Sequence, residues 1–189
     1  MLAQLQQLQA VLAASEAVVP AITASGDAIA AALHGGGKVL TCGNGGSAAD
    51  ALHLSEELTG RYRSDRPPLP AICLAADGCA LTCIGNDYGF AELFARQVAA
   101  FAQAGDVLIA FSTSGNSPNV VRAIEEAKAR GATTVLLTGH SGGKCRSLAD
   151  HAVCVPSTVT ARIQEVHGFV LHQWLDIIEA RLFGVCASQ

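Results

Sequence analysis

Residues 41–62 read TCGNGGSAADALHLSEELTGRY, a glycine-rich turn that runs straight into a helical pattern carrying His53 and Glu57 one turn apart. Glycines and a serine ahead of a helix leave backbone N–H groups free, and the positive end of the helix dipole points at the same loop. The turn therefore reads as an anion site. Side chains at i and i+4 share a helix face, so His53 and Glu57 offer either a metal-ligand pair or an acid/base pair. An anion anchor beside reactive side chains points to a phosphorylated substrate.

The chain on either side of this stretch indicates the fold class. Residues 38–42 (KVLTC) form a short apolar run directly before the turn and are predicted as the first strand of an α/β unit. Residues 71–75, 106–111 (DVLIAF), 133–139 (TTVLLTG) and 151–156 (HAVCVP) read as four further strands. Helices are predicted over 47–62, within 77–89, over 90–102, 119–130 and 144–149, and longest of all over 159–183. Strands alternating with helices imply a three-layer αβα sandwich around a five-stranded parallel sheet. In such sheets ligands sit beyond the carboxyl ends of the strands, where the turns at Asn44 and Ser112 both fall.

Upstream, Leu2, Leu5, Leu8, Val11 and Leu12 recur at helical spacing, so residues 1–19 are predicted as an amphipathic helix that Pro20 interrupts. A second, alanine-rich helix runs to His34, where Gly35, Gly36 and Gly37 end it. The expected organisation is one domain of 189 residues, with residues 1–34 as a helical extension for oligomerisation or lid closure and 35–189 as the αβα core.

Half of the residues are hydrophobic, 15% are charged and the net charge is −4, so neither nucleic acid nor an anionic membrane is an expected partner. A surface so poor in charge suits an oligomer. No basic region followed by an apolar run marks a signal peptide, and no uninterrupted apolar run reaches the roughly 20 residues that a bilayer requires. The seven cysteines, Cys42, Cys73, Cys79, Cys83, Cys145, Cys154 and Cys186, are scattered and odd in number, mostly inside apolar runs. They read as reduced, buried thiols of a cytoplasmic protein.

Ser112, Thr113, Ser114, Asn116 and Ser117 place four hydroxyls and an amide in six positions at a helix start. One or two are expected to cap the helix, and the rest can join its N–H groups in holding a phosphate without Lys or Arg. There is no GxxxxGK[ST], which argues against a nucleotide triphosphatase, and CGNGGS matches GxGxxG poorly.

Taken together, GNGGSAADALH, ELTGRY, RPPLPAI, IGNDYGF, GDVLIAFSTSGNSPNVV, TVLLTGHSGG and RIQEVHGFVLH resemble the sugar isomerase (SIS) domain family, and within it the phosphoheptose isomerases. The resemblance runs from Gly36 to Gly184. It implies a flavodoxin-like fold and a homotetramer with active sites between subunits. It also implies one zinc ion per subunit and conversion of sedoheptulose 7-phosphate to D-glycero-D-manno-heptose 7-phosphate, for bacterial surface polysaccharide. Its metal residues fall on His53, Glu57, Gln164 and His172. Its substrate contacts fall on Asn44, Gly45, Gly46, Asn86, Asp87, Ser112, Thr113, Ser114, Ser117 and Gln164, with Ser47 in the same loop. Two other expectations stay open: an isomerase for another sugar phosphate, and a non-catalytic module of the kind that binds the replication initiator DnaA.

Moving a carbonyl between C2 and C1 through an enediol needs a group to take a carbon-bound proton and another to handle oxygen-bound ones. Glu57 suits the carbon base and His172 the partner acid/base, an assignment that can be reversed. Gln164 and His172 lie eight residues apart, about 12 Å along a straight helix, so converging on one ion requires reach, a kink or two subunits. Glu56 reads as the solvated neighbour of Glu57 and His167 as a weaker ligand candidate. His34, His140 and His151 read as surface or turn residues, and Arg61 as a phosphate contact or an ion-pair partner.

Overall fold

The computed structural model describes residues 1–184, so Cys186 lies outside the described residues. Five strands, β1 (Val39–Gly43), β2 (Ala71–Cys73), β3 (Val107–Ser112), β4 (Thr133–Gly139) and β5 (His151–Val155), form one sheet in the order β2-β1-β3-β4-β5. Every pairing is parallel, with Val39 opposite both Ala71 and Val107. Strands β1 and β3 are buried along their whole length, as the continuous apolar runs require of a sheet covered on both faces. Strand β2, predicted to reach residue 75, stops at Cys73 because the chain turns at once towards the next helix.

Helices cover the two faces. On one lie α2 (Val19–His34), α3 (Gly46–Thr59) and α8 (Thr160–Phe183), packed over a core that includes Ile109, Phe111, Leu137 and Trp174. On the other, α4 (Gly78–Tyr88), α5 (Ala95–Phe101) and α6 (Pro118–Ala129) pack over Leu40, Leu108, Ala110 and Leu136, with α7 (Gly143–Leu148) at their edge. The sheet's alternation divides these cores. Odd positions of β3 face α8 and even ones face α6.

Pro20 does not break the N-terminal helix. Helix α1 (Leu2–Ala14) continues through a 3-10 turn at Ser15–Val18 into α2, where Pro20 sits in the first turn and needs no N–H donor. The resulting helical stretch, Leu2–His34, is long and apolar enough to cross a bilayer by length and composition, which the interrupted apolar runs of the sequence did not suggest. Its second half is part of the core. Trp174 Nε1 donates to Ser25 Oγ at 2.9 Å, and a Cβ on Gly26 would stand 2.7 Å from Ile177 Cδ1, so α2 and α8 touch closely. Helix α1 buries no residue and leaves Leu2, Leu5 and Leu12 exposed.

The six described cysteines are all free, but not all are buried: Cys79 and Cys83 lie on the exposed face of α4. They follow the Asp77 cap, whose carboxylate accepts from the Cys79 and Ala80 N–H groups. Burial instead pushes the Cys145 thiol up to about 11 and the Cys42 thiol further still.

Candidate active site

Connections from β1 and β3 leave for opposite faces of the sheet, which opens a crevice beyond their carboxyl ends. After β1, Gly45 takes φ +56 and ψ −122, a backbone that glycine alone enters readily, and turns the chain into α3. The Ser47 and Ala48 N–H groups donate to the Asn44 and Gly45 carbonyls. Among the described residues the Gly45 and Gly46 N–H groups have no backbone partner, so they are the turn's contribution to an anion.

The loop after β3 is braced from within. The Gly115 N–H donates to Ser112 Oγ at 3.1 Å, Asn116 N donates to Ser114 Oγ at 3.2 Å, and Asn116 Oδ1 accepts from the Lys144 N–H at 3.0 Å. Ser117 occupies the N-cap position of α6 but makes no side-chain cap. The expected capping by this loop's hydroxyls is therefore not made at α6. Pro118 has no N–H to satisfy, and the open helix end faces the crevice. Thr113 and Ser117 hydroxyls have no hydrogen-bond partner among the described residues, whereas Ser112 and Ser114 are engaged in shaping the turn.

A reciprocal amide pair joins the two loops: Asn44 Nδ2 donates to Asn119 Oδ1 at 2.9 Å and Asn119 Nδ2 to Asn44 Oδ1 at 2.8 Å. Asn119 is fully buried and was not singled out in the sequence; its position just inside α6 was the available signal. Around this clasp Asn44, Gly46, Ser47, Ser112, Thr113, Ser117 and Gln164 line one cavity of about 260 Å³, together with Phe111 and Thr160. Ser114 lines a neighbouring hollow of about 210 Å³ that shares Thr113 and Thr160 with the first. Gly45 is exposed at the rim. Asn86 and Asp87 are exposed at the end of α4, where Asn86 Nδ2 donates to Asp87 Oδ1 at 2.6 Å, and line neither hollow.

Helices α3 and α8 lie side by side and meet along a polar seam. At its crevice end a Cβ on Gly46 would run into the Gln164 amide. Further along, Asp50 Oδ2 lies 3.9 Å from His167 Nδ1. Beyond that, His53 Nε2 stands 3.4 Å from Glu57 Oε1, and the His53 and His172 rings meet edge to face with centroids 5.1 Å apart. The candidate ligand atoms of His53, Glu57 and His172 all lie within 4.8 Å of one another, on half-buried residues. Two imidazoles and a carboxylate are a zinc donor set, and three protein ligands leave a coordination position open. Gln164 and His172 stand at different points of the seam, as their spacing on one helix demands.

Three neighbours of this group went unread in the sequence. Tyr62 stacks on His172 at 5.6 Å with a 14° interplanar angle, and the Arg63 guanidinium lies 5.1 Å from the Tyr62 centroid. Arg66 is buried. Its Nη2 donates to the Glu57 carbonyl at 2.7 Å, its Nη1 to the Leu58 carbonyl at 2.8 Å, and its Nε pairs with Glu179 at 3.1 Å. The proline-rich connection after α3 is thereby pinned to the helix that carries Glu57. Glu56 is exposed, as expected of a solvated neighbour, and Arg61 is exposed without an ion pair among the described residues.

A parallel sheet with this strand order carries a serine-rich loop at the switch point and a His–Glu–His group alongside, and residues 3–139 match the SIS domain family. The chain belongs to that family. Over 179 residues it is 50% identical to the phosphoheptose isomerase of Shewanella loihica, covering 93% of this chain and 91% of that one. It superposes on the structure of phosphoheptose isomerase from Neisseria gonorrhoeae with a TM-score of 0.89 and 41% identity, covering 94% and 96% of the two chains. A phosphoheptose isomerase from Francisella tularensis gives 0.88 and 38%, with 94% and 95% covered.

Proposed function

We propose that this chain is a phosphoheptose isomerase, converting D-sedoheptulose 7-phosphate to D-glycero-D-manno-heptose 7-phosphate for nucleotide-activated heptose synthesis. The observation that carries the reading is the convergence of His53, Glu57 and His172 beside a hydroxyl-lined cavity, in a chain half identical to a phosphoheptose isomerase. His53 lies seven residues beyond Gly46, about 10 Å along α3. That separation is comparable with an extended seven-carbon chain built from bonds of about 1.5 Å, so a phosphate held at the loops leaves C1 and C2 near the His–Glu–His group.

In this reading the Gly45 and Gly46 N–H groups, the Thr113 and Ser117 hydroxyls and the open end of α6 hold the phosphate. Gln164, lying against Gly46, contacts the sugar hydroxyls. Glu57 takes the carbon-bound proton and returns it to the neighbouring carbon, while His172 exchanges the oxygen-bound protons. Tyr62 fixes the plane of His172 by stacking, and Arg66 holds the Glu57 backbone. The donor set of His53, Glu57 and His172 fits zinc, whereas Gln164 of the same chain, against Gly46 at the crevice end of the seam, stands apart from it. When bound, the ion supplies electrostatic stabilisation of developing negative charge on the substrate oxygens.

The assembly we propose is a cytoplasmic homotetramer with sites between subunits. Its support is the unburied, leucine-lined α1, the free cysteines, and the distance of Asn86 and Asp87 from the cavity of their own chain. The test is incubation of the purified protein with sedoheptulose 7-phosphate, following aldose formation with a chelator and with added zinc. Turnover is expected, lowered by the chelator and restored by zinc. Absence of turnover in both conditions overturns the heptose assignment.

A further inference from the structure

Midway along the α3–α8 seam, the assigned roles leave one feature unused. His167 is fully buried, and neither of its ring nitrogens makes a hydrogen bond of full geometry among the described residues, although the Thr138 backbone lies close enough to favour its protonated form. Asp50 Oδ2, across from it at 3.9 Å, is a buried oxygen that is likewise unpartnered. The gap is too long for a direct hydrogen bond and short enough for one water to touch both groups. Phe111 packs edge to face on the His167 ring at 6.2 Å and also lines the substrate cavity, so the pair sits directly behind the cavity wall.

An unpartnered polar group of this kind costs stability, and an apolar contact between two helices would avoid that cost. The position of the pair explains what it does. On α3 it lies between Gly46 and the His53–Glu57 pair; on α8 it lies between Gln164 and His172. A slip of one helix against the other would move the Gly46–Gln164 contact and the His–Glu–His group together. Apolar side chains resist such a slip weakly, because their contacts have no direction, whereas a hydrogen-bonded bridge has one preferred geometry.

We infer that His167 is a positioning residue: with Asp50 it binds a buried water, and this bridge sets the register of α8 against α3 and so the placing of His172 against Glu57. The inference rests on the isomerase reading for its kinetic arm alone. Three variants separate bridging from filling. His167→Leu fills the space without polar atoms, His167→Asn offers an amide in place of Nδ1 towards Asp50, and His167→Gln offers one in place of Nε2, away from it.

The expected result is that His167→Leu keeps or raises the melting temperature yet loses at least tenfold in kcat with KM little changed. His167→Asn recovers most of that loss and His167→Gln does not. Crystal structures are expected to show a water between Asp50 and His167 in the wild type, and a wider Glu57–His172 separation in His167→Leu. Wild-type kcat in the Leu variant, equal losses in all three variants, or a loss that tracks a lowered melting temperature overturns the inference. Should the wild type turn over no sugar phosphate, the isomerase reading fails separately. An unchanged Glu57–His172 separation in the Leu variant then still overturns this inference, and a widened one supports it.

Discussion

The two ends of the α3–α8 seam are built on different principles. At the crevice, the cavity is made by backbone: strand ends held in parallel register, a glycine turn, and loops joined by the Asn44–Asn119 pair. At the other end, His53, Glu57 and His172 are half-buried side chains on two helix faces, placed by packing, by Tyr62 and by the buried Arg66–Glu179 pair. A site anchored in a sheet inherits the sheet's rigidity. A group carried on helices is as well placed as the contacts behind those helices. Binding and chemistry are therefore expected to respond to different substitutions.

The sharpest separation comes from the reactive groups themselves. Glu57→Gln and His172→Gln are each expected to lower kcat by about 10²–10⁴-fold, the usual range for a general acid or base. Sugar-phosphate binding measured by calorimetry and the oligomer measured by ultracentrifugation should stay as in the wild type. Full activity in either variant removes that residue from the mechanism.

Arg66→Ala attacks the helix-borne end through stability. It leaves Glu179, 2% exposed, without its buried partner and frees the Glu57 and Leu58 carbonyls. A loss of about 3–5 kcal/mol in urea unfolding is expected. A change under 1 kcal/mol would show that the pair is not what holds the connection after α3.

Gly43→Ala attacks the other end. A Cβ there would collide with the Ser47 backbone, which cannot swing aside as a side chain can. About 1–3 kcal/mol of stability should be lost, with weaker sugar-phosphate binding in the variant that remains folded. Gly46→Ala meets the movable end of the Gln164 side chain instead, so its cost should appear in KM more than in the melting temperature.

A last effect concerns pH. Burial lowers His167 from 6.5 to about 4, although the Thr138 backbone opposes the shift, so this residue's contribution to stability is full above pH 6.5 and lost as the pH falls towards 4. Burial raises Asp50 from 3.8 to about 6, partly offset by His53, so its contribution is full below pH 3.8 and lost as the pH rises towards 6. The two slopes oppose each other between pH 4 and 6. Asp50→Asn removes one of them, and denaturant unfolding should then show stability rising with pH across that window more steeply than in the wild type. Parallel profiles for the two proteins would refute the opposition.

Much of this was legible in the chain. Continuous apolar runs directly before polar turns announced the buried parallel strands, because a strand covered on both faces has no polar side to show. His53 and Glu57 were readable as a pair because four residues bring side chains to one helix face whatever the tertiary context. The N-terminal region was less so. Pro20 reads as a break, yet a single 3-10 turn accommodates it at a helix start, where no N–H is needed. Cap chemistry misled in a similar way at Ser117, since the same residue types that close helix ends also leave them open for ligands.

What the sequence by itself determined about this protein is what depends on local periodicity: the αβα class, the two loops at strand ends, and the reactive pair on α3. Tertiary structure alone decided which distant residues meet that pair. Nothing in the spacing of Tyr62, Arg66 or Asn119 marks them, because each acquires its role from a partner tens of residues away, and His167, which read as a ligand candidate, instead faces Asp50 across the seam. Strand order and helix register, which local periodicity does not encode, brought α8 alongside α3 and turned half a site into the group of His53, Glu57 and His172.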